Sequence, residues 1–185
     1  MLILSACEKE VYYYPSKSFF DENNPQEIII ENLSFEEIID SISNEMFKKE
    51  KLYITLADKN REIKISPFTY TGVYIKEING LEIKNDSIYI SDKKHPISDL
   101  EKYLKLHYEN NSKIEHFSIS PTKAFIKIVL KSNEKGKKLK NVLFEIIKNF
   151  KSSNIENKEN LDLSIMLCLP LGLEFSKIPP SPKLL

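Results

Sequence analysis

The sequence predicts an α+β fold: a mixed β-sheet with about three helices packed mainly on one face. Three observations lead there. Two helical segments each follow a serine with a glutamate three residues on, Ser34 with Glu37 and Ser98 with Glu101. A third segment carries a wide apolar helical face, and short β-branched runs lie between the helices.

Ile28-Ile29-Ile30 reads as a first strand. Ser34 and Glu37 form a capping box, because the serine hydroxyl and the glutamate carboxylate can each take a backbone N–H at the helix start. Phe35, Ile38, Ile39, Ile42 and Met46 then share one helical face. Lys48, Lys49 and Lys51 end this helix with charge that suits its C-terminal dipole. Residues 52–57, 61–66 and 69–78 read as strands, with a turn at Ser66-Pro67. Asn79-Gly80 is a two-residue hairpin signal, so residues 73–78 are expected to pair with 81–83. Residues 87–91 form another short strand.

The Ser98 box opens a second helix, with Leu100, Tyr103, Leu104 and His107 on one face and its end near Asn110-Asn111. Residues 114–119 and 124–130 read as strands. Leu139, Val142, Leu143, Ile146, Ile147 and Phe150 define the third helix. Residues 152–160 are a polar loop and 161–169 the last core strand. The expected organisation is a signal-peptide remnant at 1–6, a tether at 7–26, one α+β domain at 27–176, and a proline-rich tail at 177–185.

Composition narrows the function. The chain has 185 residues, 41% hydrophobic and 29% charged, which suits one folded domain. Lys+Arg and Asp+Glu balance at 27 each, so no overall field draws nucleic acid. Arg61 is the sole arginine, which argues against recognition by bidentate forks. The four glycines are too scattered to cradle a phosphate, and no nucleotide partner is expected. His95, His107 and His116 lack metal-ligand spacing, so neither metal nor cofactor is expected. No serine sits in a nucleophile elbow and no carboxylate pair stands out, so no catalytic residue is assigned. Cys168 lies in an apolar run and reads as a buried thiol packed like a small hydrophobe.

Two stretches carry more. Leu4-Ser5-Ala6-Cys7 resembles a bacterial lipobox: a branched apolar residue, two small residues, then cysteine. Met1-Leu2-Ile3-Leu4 resembles the tail of an apolar signal stretch, without the charged start a complete signal carries. The resemblance implies that Cys7 becomes the first mature residue, takes palmitate-type acyl chains, and holds the protein on the periplasmic or surface side of a bacterial envelope membrane. Residues 131–140 contain Lys131, Lys135, Lys137, Lys138 and Lys140 beside one glutamate. They read as the solvated start of the third helix or, more sharply, as a contact for anionic headgroups or cell-wall polymer.

Ser87-Ile88-Tyr89-Ile90-Ser91 leading into Ile97-Ser98-Asp99-Leu100-Glu101-Lys102-Tyr103-Leu104 resembles one half of the periplasmic domain of the ExbD/TolR family. Ala124-Phe125-Ile126-Lys127-Ile128-Val129-Leu130 followed by residues 139–150 resembles the other half. The resemblance implies that fold, and the binding of partner proteins or cell wall. The family's transmembrane helix with its membrane aspartate is replaced here by the expected lipid anchor, and Lys131-Ser132 stands where an acidic residue is usual, so proton coupling is not implied. The expectation is a non-enzymatic envelope lipoprotein whose domain binds an envelope protein or cell-wall polymer. The alternatives are an envelope enzyme with an unrecognised site and a surface-exposed lipoprotein binding a small ligand.

Overall fold

The computed structural model describes residues 9–58, 61–70 and 76–170. Cys7, the remnant at 1–6 and the tail at 177–185 lie outside the described residues. In chain order the elements are β1 (Glu10–Tyr14), α1 (Lys17–Asn23), β2 (Gln26–Glu27), α2 (Phe35–Phe47), β3 (Leu52–Asp58), β4 (Arg61–Ile65) and β5 (Phe68–Thr69). There follow β6 (Gly80–Lys84), β7 (Ser87–Ile90), β8 (Lys93–Pro96), α3 (Leu100–Glu109), β9 (Phe125–Val129), α4 (Gly136–Ser152) and β10 (Ser164–Cys168). The class is α+β, with four helices among the described residues where about three were expected.

The strands form two sheets. A four-stranded sheet has the order β1-β4-β3-β2, with β1 parallel to β4 and β3 antiparallel to β4. A six-stranded sheet has the order β5-β10-β9-β6-β7-β8. Its β5, β10, β9 and β6 run parallel, and β6, β7 and β8 form an antiparallel meander. One apolar core joins the inner faces of both sheets to α2, α3 and α4. Ile54, Leu56, Ile63 and Ile65 point into it from one sheet; Leu81, Ile83, Ile126, Ile128, Ile165 and Leu167 point into it from the other. Phe125, Val129, Met166 and Cys168 form a small second buried cluster on the other side of the six-stranded sheet.

Several expectations are corrected. The stretch expected as a tether carries β1 and α1, so the fold begins by Glu10. Ser16 accepts from Phe19 N–H at the start of α1, and Phe20 is buried. Residues 28–30 are not a strand: pairing stops at Glu27, although Ile28 N–H still donates to Tyr53 O. Residues 69–78 are not one strand either, since β5 ends at Thr69 and a 3-10 turn occupies Glu77–Asn79. Within that stretch, residues 71–75 lie outside the described residues.

Asn79-Gly80 is not a hairpin turn. Gly80 opens β6 opposite Phe125, because a Cβ there would meet the Phe125 ring at 2.7 Å. The hairpins use Asn85-Asp86 and Ser91-Asp92, all four at positive φ, as turns between twisted strands require. No capping box forms at Ser98 and Glu101, since α3 starts at Leu100 after a 3-10 turn, with no side-chain cap. Residues 114–119 form turns, held by side chains described below.

Candidate functional site

The starts of α2 and α4 meet. Ser34 and Lys135, the residues that cap the two helices, form an isolated antiparallel bridge. Phe35 N–H donates to Glu134 O at 2.7 Å, Gly136 N–H to Leu33 O at 2.9 Å, and Glu36 N–H to Ser132 O at 3.0 Å. Ser34 and Glu37 add the expected capping box at 3.3 and 2.7 Å. The Ser34 backbone N–H, then its hydroxyl, holds the Glu37 carboxyl below the usual carboxylate range. These bonds use N–H groups that a helix start would otherwise offer an anion.

The five lysines of 131–140 surround this junction without forming one open patch. Lys138 pairs with Asp86 at 2.5 Å, and Lys140 pairs with Glu31, whose carboxyl it holds below the usual range. Lys135 Nζ donates to Asn32 O at 3.5 Å. Lys131, Lys135 and Lys137 are exposed, and among the described residues no ion pair engages them. The cluster thus offers three solvated cations and two neutralised ones.

A buried polar hub lies at the end of α3. The Asn79 carbonyl stands 2.9 Å from His107 Nε2, and Ser118 N–H donates to His107 Nδ1 at 3.3 Å. Because Nδ1 accepts, the proton of the neutral ring is on Nε2 and donates to Asn79. Asn79 Oδ1 accepts from Ser118 Oγ and Ile119 N–H, while Asn110 binds the carbonyls of Ile114, Phe117 and Ser118. Burial pulls the His107 pKa down to about 4. The hub fastens residues 110–119 to α3 and to the 3-10 turn that leads into β6.

The other histidines are elsewhere. His95 Nδ1 is 2.9 Å from the Tyr103 hydroxyl, and exposed His116 lies beside Glu115. A gathering of His95, His107 and His116 with carboxylates, which an enzyme would favour, is not found among the described residues. No group of three or more His, Cys, Asp or Glu in them could hold a metal. Cys168 is buried in β10.

Shallow depressions mark the surface of the described residues. One of about 400 Å³ is lined by Ser98, Asp99, Lys102 and Asn154 among others. Another, about 310 Å³, lies beside the four-stranded sheet and is lined by Glu27, Ile29, Glu31, Thr55, Ala57 and Lys140 among others. It borders the sheet's outer face, built by alternation from Val11 and Tyr13 of β1, Glu62 and Lys64 of β4, and Tyr53, Thr55 and Ala57 of β3. That face was invisible to sequence reasoning, because it exists only once β1, β4 and β3 are paired.

No helix among the described residues is long and apolar enough to cross a membrane. Comparison of the chain with protein-family models, with curated proteins and with solved structures finds no match.

Proposed function

We propose that this chain is a lipid-anchored, non-enzymatic lipoprotein of the bacterial cell envelope, whose α+β domain binds another envelope component, a protein or a cell-wall polymer. The observation that carries the reading is Leu4-Ser5-Ala6-Cys7 immediately before a charged residue, Glu8. Acyl chains on Cys7 would supply the membrane affinity, since more than one chain is needed for stable anchoring. Two observations support the binding role. Residues 87–150 run β7, β8, α3, β9, α4, the strand, helix, strand, helix order that the ExbD/TolR resemblance implies with one added strand, β8, before the first helix. Exposed Lys131, Lys135 and Lys137 give an anionic headgroup or polymer something to meet.

The test is metabolic labelling with a palmitate analogue of cells carrying the full-length gene, wild type or Cys7→Ser. Label on the wild type and none on Cys7→Ser is the expected outcome. Equal labelling of the two, or none on either, overturns the anchor.

A further inference from the structure

We infer that the outer face of the four-stranded sheet, at its Val11–Ala57 end, lies flat on the lipid headgroups of the leaflet that holds the anchor. The inference rests on acylation of Cys7 and adds an orientation to it.

The outer face is covered unevenly. Over the Tyr13–Tyr53 end, α1 provides a roof. Phe20 packs edge-on against Tyr13 at 5.1 Å and Tyr53 at 5.5 Å between ring centres, and Lys64 lies over the Tyr53 ring. One row further along, Val11, Glu62 and Ala57 stand side by side in register. Here Val11 is 37% exposed and Ala57 is exposed. Ile29, which shares the 310 Å³ depression with Ala57 and Thr55, is 77% exposed. That is the largest fractional exposure of a large apolar side chain among the described residues.

The bare end is the end the anchor reaches. Glu10, opposite Arg61, is the first residue of β1 and adjoins the Val11 row. Two residues lie between Cys7 and Glu10, so the three steps of chain reach at most about 11 Å fully extended. A domain held so closely cannot keep every face clear of the bilayer, and the face beside the leash is the first to meet it.

Its rim has the charge pattern of a zwitterionic surface. Lys9 pairs with Glu62 at 3.6 Å, Arg61 with Glu10 at 3.7 Å, and Lys140 with Glu31. These pairs each have at least one exposed partner and can exchange it with headgroup phosphate or ammonium at modest cost, since surface pairs contribute little on their own. Ile29 and Val11 then enter the interfacial layer, as the apolar side of an interfacial element does.

The chain contains no tryptophan, so single substitutions report without background. Ile29→Trp probes the proposed contact. Ile114→Trp, at a site 49% exposed in the loop after α3, is the control. Each full-length protein is coupled through Cys7 to maleimide-lipid vesicles of phosphatidylcholine, with and without brominated chains, which quench fluorescence at close range. Expected are a blue-shifted Ile29→Trp emission, quenched about twofold or more by bromine, and an unchanged Ile114→Trp emission. An unquenched Ile29→Trp protein overturns the orientation, and so does equal quenching of both. So does a blue shift that follows protein density on the vesicle, which would mean a second copy covers the face. The two readings fail separately. Chemical coupling does not depend on cellular acylation, so quenching without palmitate labelling removes the natural anchor and keeps the face. Labelling without quenching does the reverse.

Discussion

Helices α2 and α4 begin side by side, and by opposite means. The start of α2 follows local rules: Ser34 caps it, Glu37 closes the box, and Glu36 and Glu37 place negative charge in its first turn. The start of α4 breaks them, with Lys135 as its cap residue, no capping side chain and no acid in the first turn. Lys137 and Lys138 sit instead against the positive end of the dipole. What holds α4 is tertiary. Gly136 lies so close to the chain before α2 that a Cβ on it would stand 1.9 Å from Ile30 O, and its N–H donates to Leu33 O. A helix start can therefore be specified by its own residues or by its neighbour's backbone, and this molecule places one of each in contact.

The contrast can be broken most severely at Gly136. Gly136→Ala must push Ile30 away or unseat α4, and a loss of more than about 3 kcal/mol is expected. Urea unfolding of the variant checks this; a loss below that of Ser34→Ala would show that α4 does not depend on close approach. The hub at the end of α3 offers a second tertiary fastening to compare. His107 has its pKa lowered to about 4 from an ordinary 6.5, so the unfolded chain takes the proton first. Its contribution is intact above about pH 6.5 and is lost as the pH falls towards 4, costing about 3 kcal/mol in all. Stability measured against pH should carry this slope in the wild type and lose it in His107→Gln.

Smaller effects belong to the local rules. Ser34→Ala is expected to cost about 1 kcal/mol through the lost cap. The lowered pKa of Glu37 likewise gives stability above the ordinary carboxylate range that fades as acid protonates it, and Glu37→Gln removes that fading. The smallest change should be a gain: Lys137→Glu sets a favourable charge at the α4 start, and about 0.5 kcal/mol is expected by the same unfolding measurement.

The same division explains what could be read in the chain. Helix α2, the apolar face of α4 and strands β9 and β10 were legible, because their signals lie within one element. Asn79-Gly80 misled because its turn chemistry is committed elsewhere. The Asn79 side chain serves Ser118 and Ile119, about 40 residues away, and Gly80 makes room for Phe125. The true turns lack the Asn-Gly signature, and Asn85-Asp86 takes positive φ at two non-glycine residues. Strand β8, Lys93–Pro96, is an edge strand without apolar alternation, so its sequence shows no period to find. Of the lysine cluster, the residues themselves were legible. Their neutralisation was not, since Lys138 finds Asp86 at a separation of 52 residues and Lys140 finds Glu31 at 109.

Cys168 closes β10, the strand between β9 and β5, and its side chain is 5% exposed. Its side chain packs with Phe125, Val129 and Met166 on the face of the sheet away from the main core, so a thiol reagent in solution reaches the sulfur when that small cluster opens. In the Cys7→Ser chain it is the sole thiol, so the pace of its modification counts openings of that cluster. The protein thus carries its own clock for a local opening on one face of its six-stranded sheet, readable in solution with a thiol reagent.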